Sequence, residues 1–131
     1  MKLSDKGLIR PAPKMDGLLA LVAEEIQSWP HVIAVTHWDL YQPTVADGAD
    51  FYLGEAEIGH LHFYGEAHVA SDAELNAAFI LLGKGEPFRF RNDPTYRHWT
   101  QVKIADLEKA QDAIDLFRAN YERLWSARQR Y

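Results

Sequence analysis

Between Ala49 and Ala70 the chain reads ADFYLGEAEIGHLHFYGEAHVA, and no other stretch limits the fold as much. Short runs rich in apolar and β-branched or aromatic residues are broken at Gly54 and Gly65, where the chain needs turns. Three short strands are expected, over residues 51–53, 57–63 and 67–70. Successive side chains of a strand point to opposite faces, so His60 and His62 share one. A three-residue loop of Tyr64, Gly65 and Glu66 would pair Phe63 with Ala67, His62 with His68 and Leu61 with Val69. That register places Leu61, Phe63, Ala67 and Val69 on one apolar side and His60, His62 and His68 on the other. A slip of one residue would mix the two sets. By the same parity Glu57 points away from the histidines, which leaves Glu66 as the nearer carboxylate.

The flanking segments supply the covering layers. Pro11 and Pro13 oppose a helix, so residues 1–14 are expected as a flexible arm and residues 15–131 as one α+β domain. Leu18, Leu19, Val22, Ile26 and Trp29 recur at helical spacing until Pro30 stops the helix. Residues 31–40 read as a strand, and residues 42–48 as a turn or loop. Ser71 with Glu74 three residues on gives the signature of a capping box. The helix that follows carries Leu75, Ala78, Phe79 and Leu82, with Gly83 or Gly85 to end it. Residues 84–95 read mainly as loop and 96–104 as a strand. Leu107, Ala110, Ile114, Phe117, Tyr121 and Leu124 then form one apolar stripe of a long C-terminal helix. The expected fold is α+β: a mainly antiparallel sheet of about five strands with an N-terminal, a middle and a long C-terminal helix.

Charge is distributed unevenly. The formal charge is −5, but residues 15–83 contain no Lys or Arg and carry −11, together with five of the six histidines. Such a distribution argues against nucleic acid as a partner, since that affinity rests on neutralising phosphates. Interleaving of Arg89, Arg91 and Arg97 with Phe88, Phe90, Tyr96 and Trp99 suits base stacking, yet equally suits internal partners for the acidic block. With no cysteine, disulfides, thiolate metal sites and cysteine nucleophiles are excluded. No apolar run approaches the roughly 18 residues needed to cross a bilayer. The opening MKLSDKGLIRPAPK lacks the apolar core of a secretory signal, and the cytoplasm is the expected location.

The candidate site is the histidine face. His60, His62 and His68 would make a three-imidazole ligand set for a divalent metal such as zinc. Glu66, His98 and Trp99 are expected beside them, with His98 reaching in from the later strand and Trp99 walling the pocket. A non-metal ligand or acid–base site and a purely structural polar cluster stay open beside the metal reading. Gly54, His60, His62 and Glu66 satisfy most of the first cupin motif, which then fails at Ala73.

Ser28-Trp29-Pro30, Val32, the F-x-L-G step at 51–54 and above all E-I-G-H-L-H at 57–62 form a recognisable series. His68, Gly85 with Glu86-Pro87, Trp99 and the Asp106-led helix running to Asn120-Tyr121-Glu122-Arg123 continue it. Over residues 16–124 this order resembles the small bacterial luciferase-domain proteins. The resemblance implies neither light production nor any assigned reaction. It also implies further histidines between the glycine turn and the Trp, where this chain has only His98 after an Arg-rich insert. From residues and resemblance together, a small domain that binds a ligand or partner through its histidine face is expected. Its partner would be a small molecule, a metal or a basic protein. The alternative is a metal-dependent enzyme with a three-histidine site.

Overall fold

Helix α1 (Gly17–Gln27) lays Val22 and Ile26 against the C-terminal helix, and the chain then turns at Trp29-Pro30 into the sheet. The computed structural model describes residues 2–129. Six antiparallel strands follow: β1 (Val32–Trp38), β2 (Ala46–Leu53), β3 (Ala56–His62), β4 (Glu66–Val69), β5 (Glu86–Pro87) and β6 (Thr100–Lys103). They lie in the spatial order β1-β2-β3-β4-β6-β5. Helix α2 (Ala73–Leu81) connects β4 to β5, and α3 (Leu107–Gln129) closes the chain. The fold is the expected α+β class. The sixth strand is β5, two residues ending in a proline that could announce no strand pattern.

Alternation along the strands separates two chemistries. Ala49, Phe51, Leu53, Ile58, Leu61, Ala67, Val69 and Val102 meet α1 and α3 in one apolar core with Ile26, Leu116 and Phe117. Gly59 belongs to this face because a Cβ there would lie 2.8 Å from the Phe117 ring and 2.6 Å from the His68 carbonyl. The expected helical stripe of α3 is broader than the six residues named for it, since Ala113, Leu116 and Asn120 are buried with it while Leu107 is exposed.

Three local expectations are corrected. The β3–β4 register pairs His60 with His68, Leu61 with Ala67 and His62 with Glu66. The loop is therefore Phe63-Tyr64-Gly65, two residues away from the expected pairing, and Phe63 lies exposed in it rather than on the apolar face. A shift of two preserves side-chain parity, so the histidines stay together. The cap of α2 is Asp72, whose carboxylate accepts from Leu75 N at 2.9 Å, while the Ser71 hydroxyl instead meets the His98 carbonyl and Thr100. Finally, β2 and β3 are out of step by one residue beyond Phe51–Gly59, a bulge that inserts Ile58 and brings Glu57 opposite Tyr52. The extra residue reverses parity from that point, and Glu57 lies on the histidine face.

Candidate functional site

The second face of the sheet is covered by irregular chain. Residues 2–11 run beside β1 and across the face: Thr36 N donates to the Arg10 carbonyl at 2.8 Å, and the Trp38 indole donates to the Leu8 carbonyl at 2.7 Å. The segment between β5 and β6 contributes Phe88, Tyr96 and Trp99, which pack on one another. Phe88 lies 4.7 Å from the His68 ring and Trp99 5.6 Å from that of His60. Beneath this cover His60, His62 and His68 are 9%, 8% and 3% exposed.

The three rings converge. His62 Nε2 lies 2.9 Å from His68 Nδ1, which in turn lies 3.3 Å from His60 Nε2. The remaining nitrogen of each ring faces a carboxyl group. His60 Nδ1 is 2.8 Å from Glu57, His62 Nδ1 is 2.7 Å from Asp47, and His68 Nε2 is 3.0 Å from Glu66. Arg89 donates to the same Glu66 oxygen, Oε1, that faces His68. The ring planes stand at 84°, 76° and 61° to one another, so no two of the three rings are stacked. His37 is the fourth imidazole, close enough to form a group with His60 and His62 whose ligand atoms all lie within 4.8 Å. It stacks on His60 with an interplanar angle of 11°, and parallel rings cannot both aim an in-plane lone pair at one ion.

Electrostatics keep the imidazoles neutral. Burial pushes His60 down to about 3, reinforced by His37. Burial and the neighbouring His60 bring His62 down to about 4 and His68 to about 3. Burial, with the Asp50 charge beside it, pushes Glu57 up to about 8. Burial also acts to raise Glu66, but the bonds from His68 and Arg89 outweigh it and hold the carboxyl below its usual range. With His62 donating to Asp47 and His68 to Glu66, the 2.9 Å contact between those two rings brings two lone pairs face to face. A cation between them removes that conflict.

The sequence-expected residues divide as follows. His60, His62, His68 and Glu66 are brought together, and Trp99 lies against His60. His98 is not brought in. The strand expected over residues 96–104 starts late: its first residue, Tyr96, ends the 3-10 turn Pro94–Tyr96, β6 starts only at Thr100, and the His98 side chain is exposed. Asp47, Asp50, Glu57, His37 and Lys6 were missed. Asp47 precedes Gly48, the register partner of His62, and Asp50 is the register partner of His60, and only the tertiary pairing of β2 with β3 reveals that.

The family model described as Luciferase domain matches residues 55–120, half of the chain. No curated protein and no solved structure matches. No helix among the described residues is long and apolar enough to cross a membrane.

Proposed function

Since the chain belongs to the luciferase-domain family, and the matched stretch contains all three converging histidines, we propose that the protein is a small binding domain whose histidine face holds a divalent metal ion. His60 Nε2, His62 Nε2 and His68 Nδ1 are the ligands, and Glu57, Asp47 and Glu66 orient them. The observation that carries this reading is the 2.9 Å approach of His62 Nε2 to His68 Nδ1 while the opposite nitrogen of each ring sits on a carboxylate. Two nitrogens bound to one ion at about 2.0–2.1 Å lie roughly 3 Å apart. A carboxylate behind a ligating imidazole, as Asp47 stands behind His62 and Glu66 behind His68, fixes its tautomer and raises its basicity. Imidazole ligands favour zinc, nickel, copper or iron over calcium or magnesium.

A metal-dependent reaction is the second reading. It is favoured by the number of protein ligands, because three histidines leave a position open on a tetrahedral ion for water or substrate.

Protein purified without a histidine tag and stripped with chelator tests the proposal. Calorimetry with zinc or cobalt should give one ion per chain, and the melting temperature should rise by several degrees. The double variant His60→Ala, His62→Ala should lose both effects while its far-UV spectrum stays that of the wild type. Absence of binding by the wild-type chain, or equal binding by the double variant, would overturn the metal reading.

A further inference from the structure

Beside the three-histidine centre, and sharing His60 and Glu57 with it, lies a second cluster built around Asp50. Asp50 projects from β2 next to Glu57 and His60, and ligand atoms of these three lie within 4.8 Å of one another. The ammonium of Lys6 enters this cluster from the N-terminal segment and pairs with Asp50 Oδ2. Its side chain is 7% exposed, whereas its neighbours Asp5, Gly7 and Leu8 lie open to solvent.

An ammonium carries three donors, and Lys6 gives one to Asp50. Two further oxygens on the same strand face have no hydrogen-bond partner among the described residues: Asp50 Oδ1 and the Tyr52 hydroxyl. Asp50 is 3% exposed and Tyr52 fully buried. His37 Nδ1 comes within 2.7 Å of Asp50 Oδ1 and His60 Nδ1 within 3.7 Å, close contacts that do not reach hydrogen-bond geometry. Glu57 stands opposite Tyr52 in the β2–β3 register. Burying polar atoms without partners costs free energy, so a donor that reached either oxygen would offset that cost.

We propose that Asp50, Tyr52 and Glu57 form a binding site for a small primary alkylammonium, which Lys6 of the same chain fills when no ligand is present. The stacked rings of His37 and His60 flank it. Lys6 has the advantage of its tether, equivalent to a local concentration on the order of millimolar. Its hold is local. Leu3 N on the Glu55 carbonyl, Thr36 N on Arg10 and the Trp38 indole on Leu8 fasten the segment, and no residue of it from Lys2 to Pro11 is fully buried. Segments held in this way open with little free energy.

The full-length Lys6→Ala variant tests the site with n-propylammonium chloride, which restores the three carbons and the nitrogen that the substitution removes. Chelator is present throughout, so that this inference and the metal reading fail separately. Propylammonium should bind saturably and raise the melting temperature. If Lys6→Ala alone unfolds the chain, the same titration should recover the folded signal. n-Propanol should do neither, and adding Asp50→Asn should abolish the response. In the wild-type chain the indole resonance of Trp38 reports release of the segment, and its midpoint with propylammonium should lie at least tenfold higher than in the variant. No saturable response in Lys6→Ala, an equal response to propanol, or one that survives Asp50→Asn overturns the inference.

Discussion

The two faces of the sheet are built from the same strands and are held by different physics. Leu61 and Val69 look toward α1 and α3, into a layer where shape and volume decide stability. His60, His62 and His68 look the other way, into a layer where each ring is matched to a carboxyl group and charge decides. Helices cover the first face. Irregular chain covers the second, because a turn or arm can deliver a charged tip such as Lys6 or Arg89 where a packed helix would deliver apolar side chains. Buried ion pairs add little net stability compared with well-packed apolar groups. The difference teaches that the first face makes the fold, while the second adds little to stability and is where the proposed binding chemistry sits.

The largest expected effect follows from cutting the apolar face. Phe117 is fully buried, meets Phe51 edge-on at a centroid distance of 5.8 Å and closes over Gly59. Phe117→Ala should cost about 3–5 kcal/mol in urea unfolding, against a total of roughly 5–15 kcal/mol for a domain. Molecules that remain folded should bind zinc with unchanged stoichiometry. A variant that lost metal while keeping its unfolding midpoint would mean that the faces are not separable in this way.

The next effect belongs to the polar face. Asp47 is bonded to His62 Nδ1 and is itself partly exposed, so its removal leaves the core untouched. Asp47→Ala should weaken metal affinity about 10- to 100-fold, the usual cost of losing a carboxylate behind a ligating histidine, with stability in chelator nearly unchanged. Competition with a chromophoric chelator measures this. An affinity equal to wild type would leave Asp47 no part in orienting His62.

How much of this was legible depended on whether the determining contact was local. The alternation through His60, His62 and His68 fixed their common face even though the hairpin pairs two residues away from the expected register, because an even shift conserves parity. The 3.6-residue rhythm of α3 was plain, while its buried Asn120 was not. That amide donates to the carbonyls of Ile58 and Ala70, partners 62 and 50 residues away that tie the bulge to the end of β4. The bulge carries no sequence signal of its own, and so Glu57 was assigned to the wrong side. His37, Asp50 and Lys6 reach the site only through sheet order and the path of the N-terminal segment, which local pattern does not encode. The expected strand from Tyr96 begins only at Thr100, which leaves His98 in the connection before it and outside the site.

The smallest effect offers the finest test of the boundary between the faces. Tyr52 stands on the polar side, yet its ring is as inaccessible as any core side chain. Its hydroxyl has no partner among the described residues, and burial with the charges of Glu57 and Asp50 around it pushes its titration far above the usual range. Removing an unpaired buried hydroxyl relieves a desolvation cost of about 1–3 kcal/mol on mutational scales, partly offset by the small cavity left behind. Tyr52→Phe should therefore stabilise the ligand-free chain by about 1 kcal/mol, read as a higher urea midpoint at unchanged slope. The same substitution in the Lys6→Ala background should weaken propylammonium several-fold while leaving zinc affinity alone. A loss of stability would mean that the hydroxyl already has a partner and that the polar face, like the apolar one, is satisfied without a ligand.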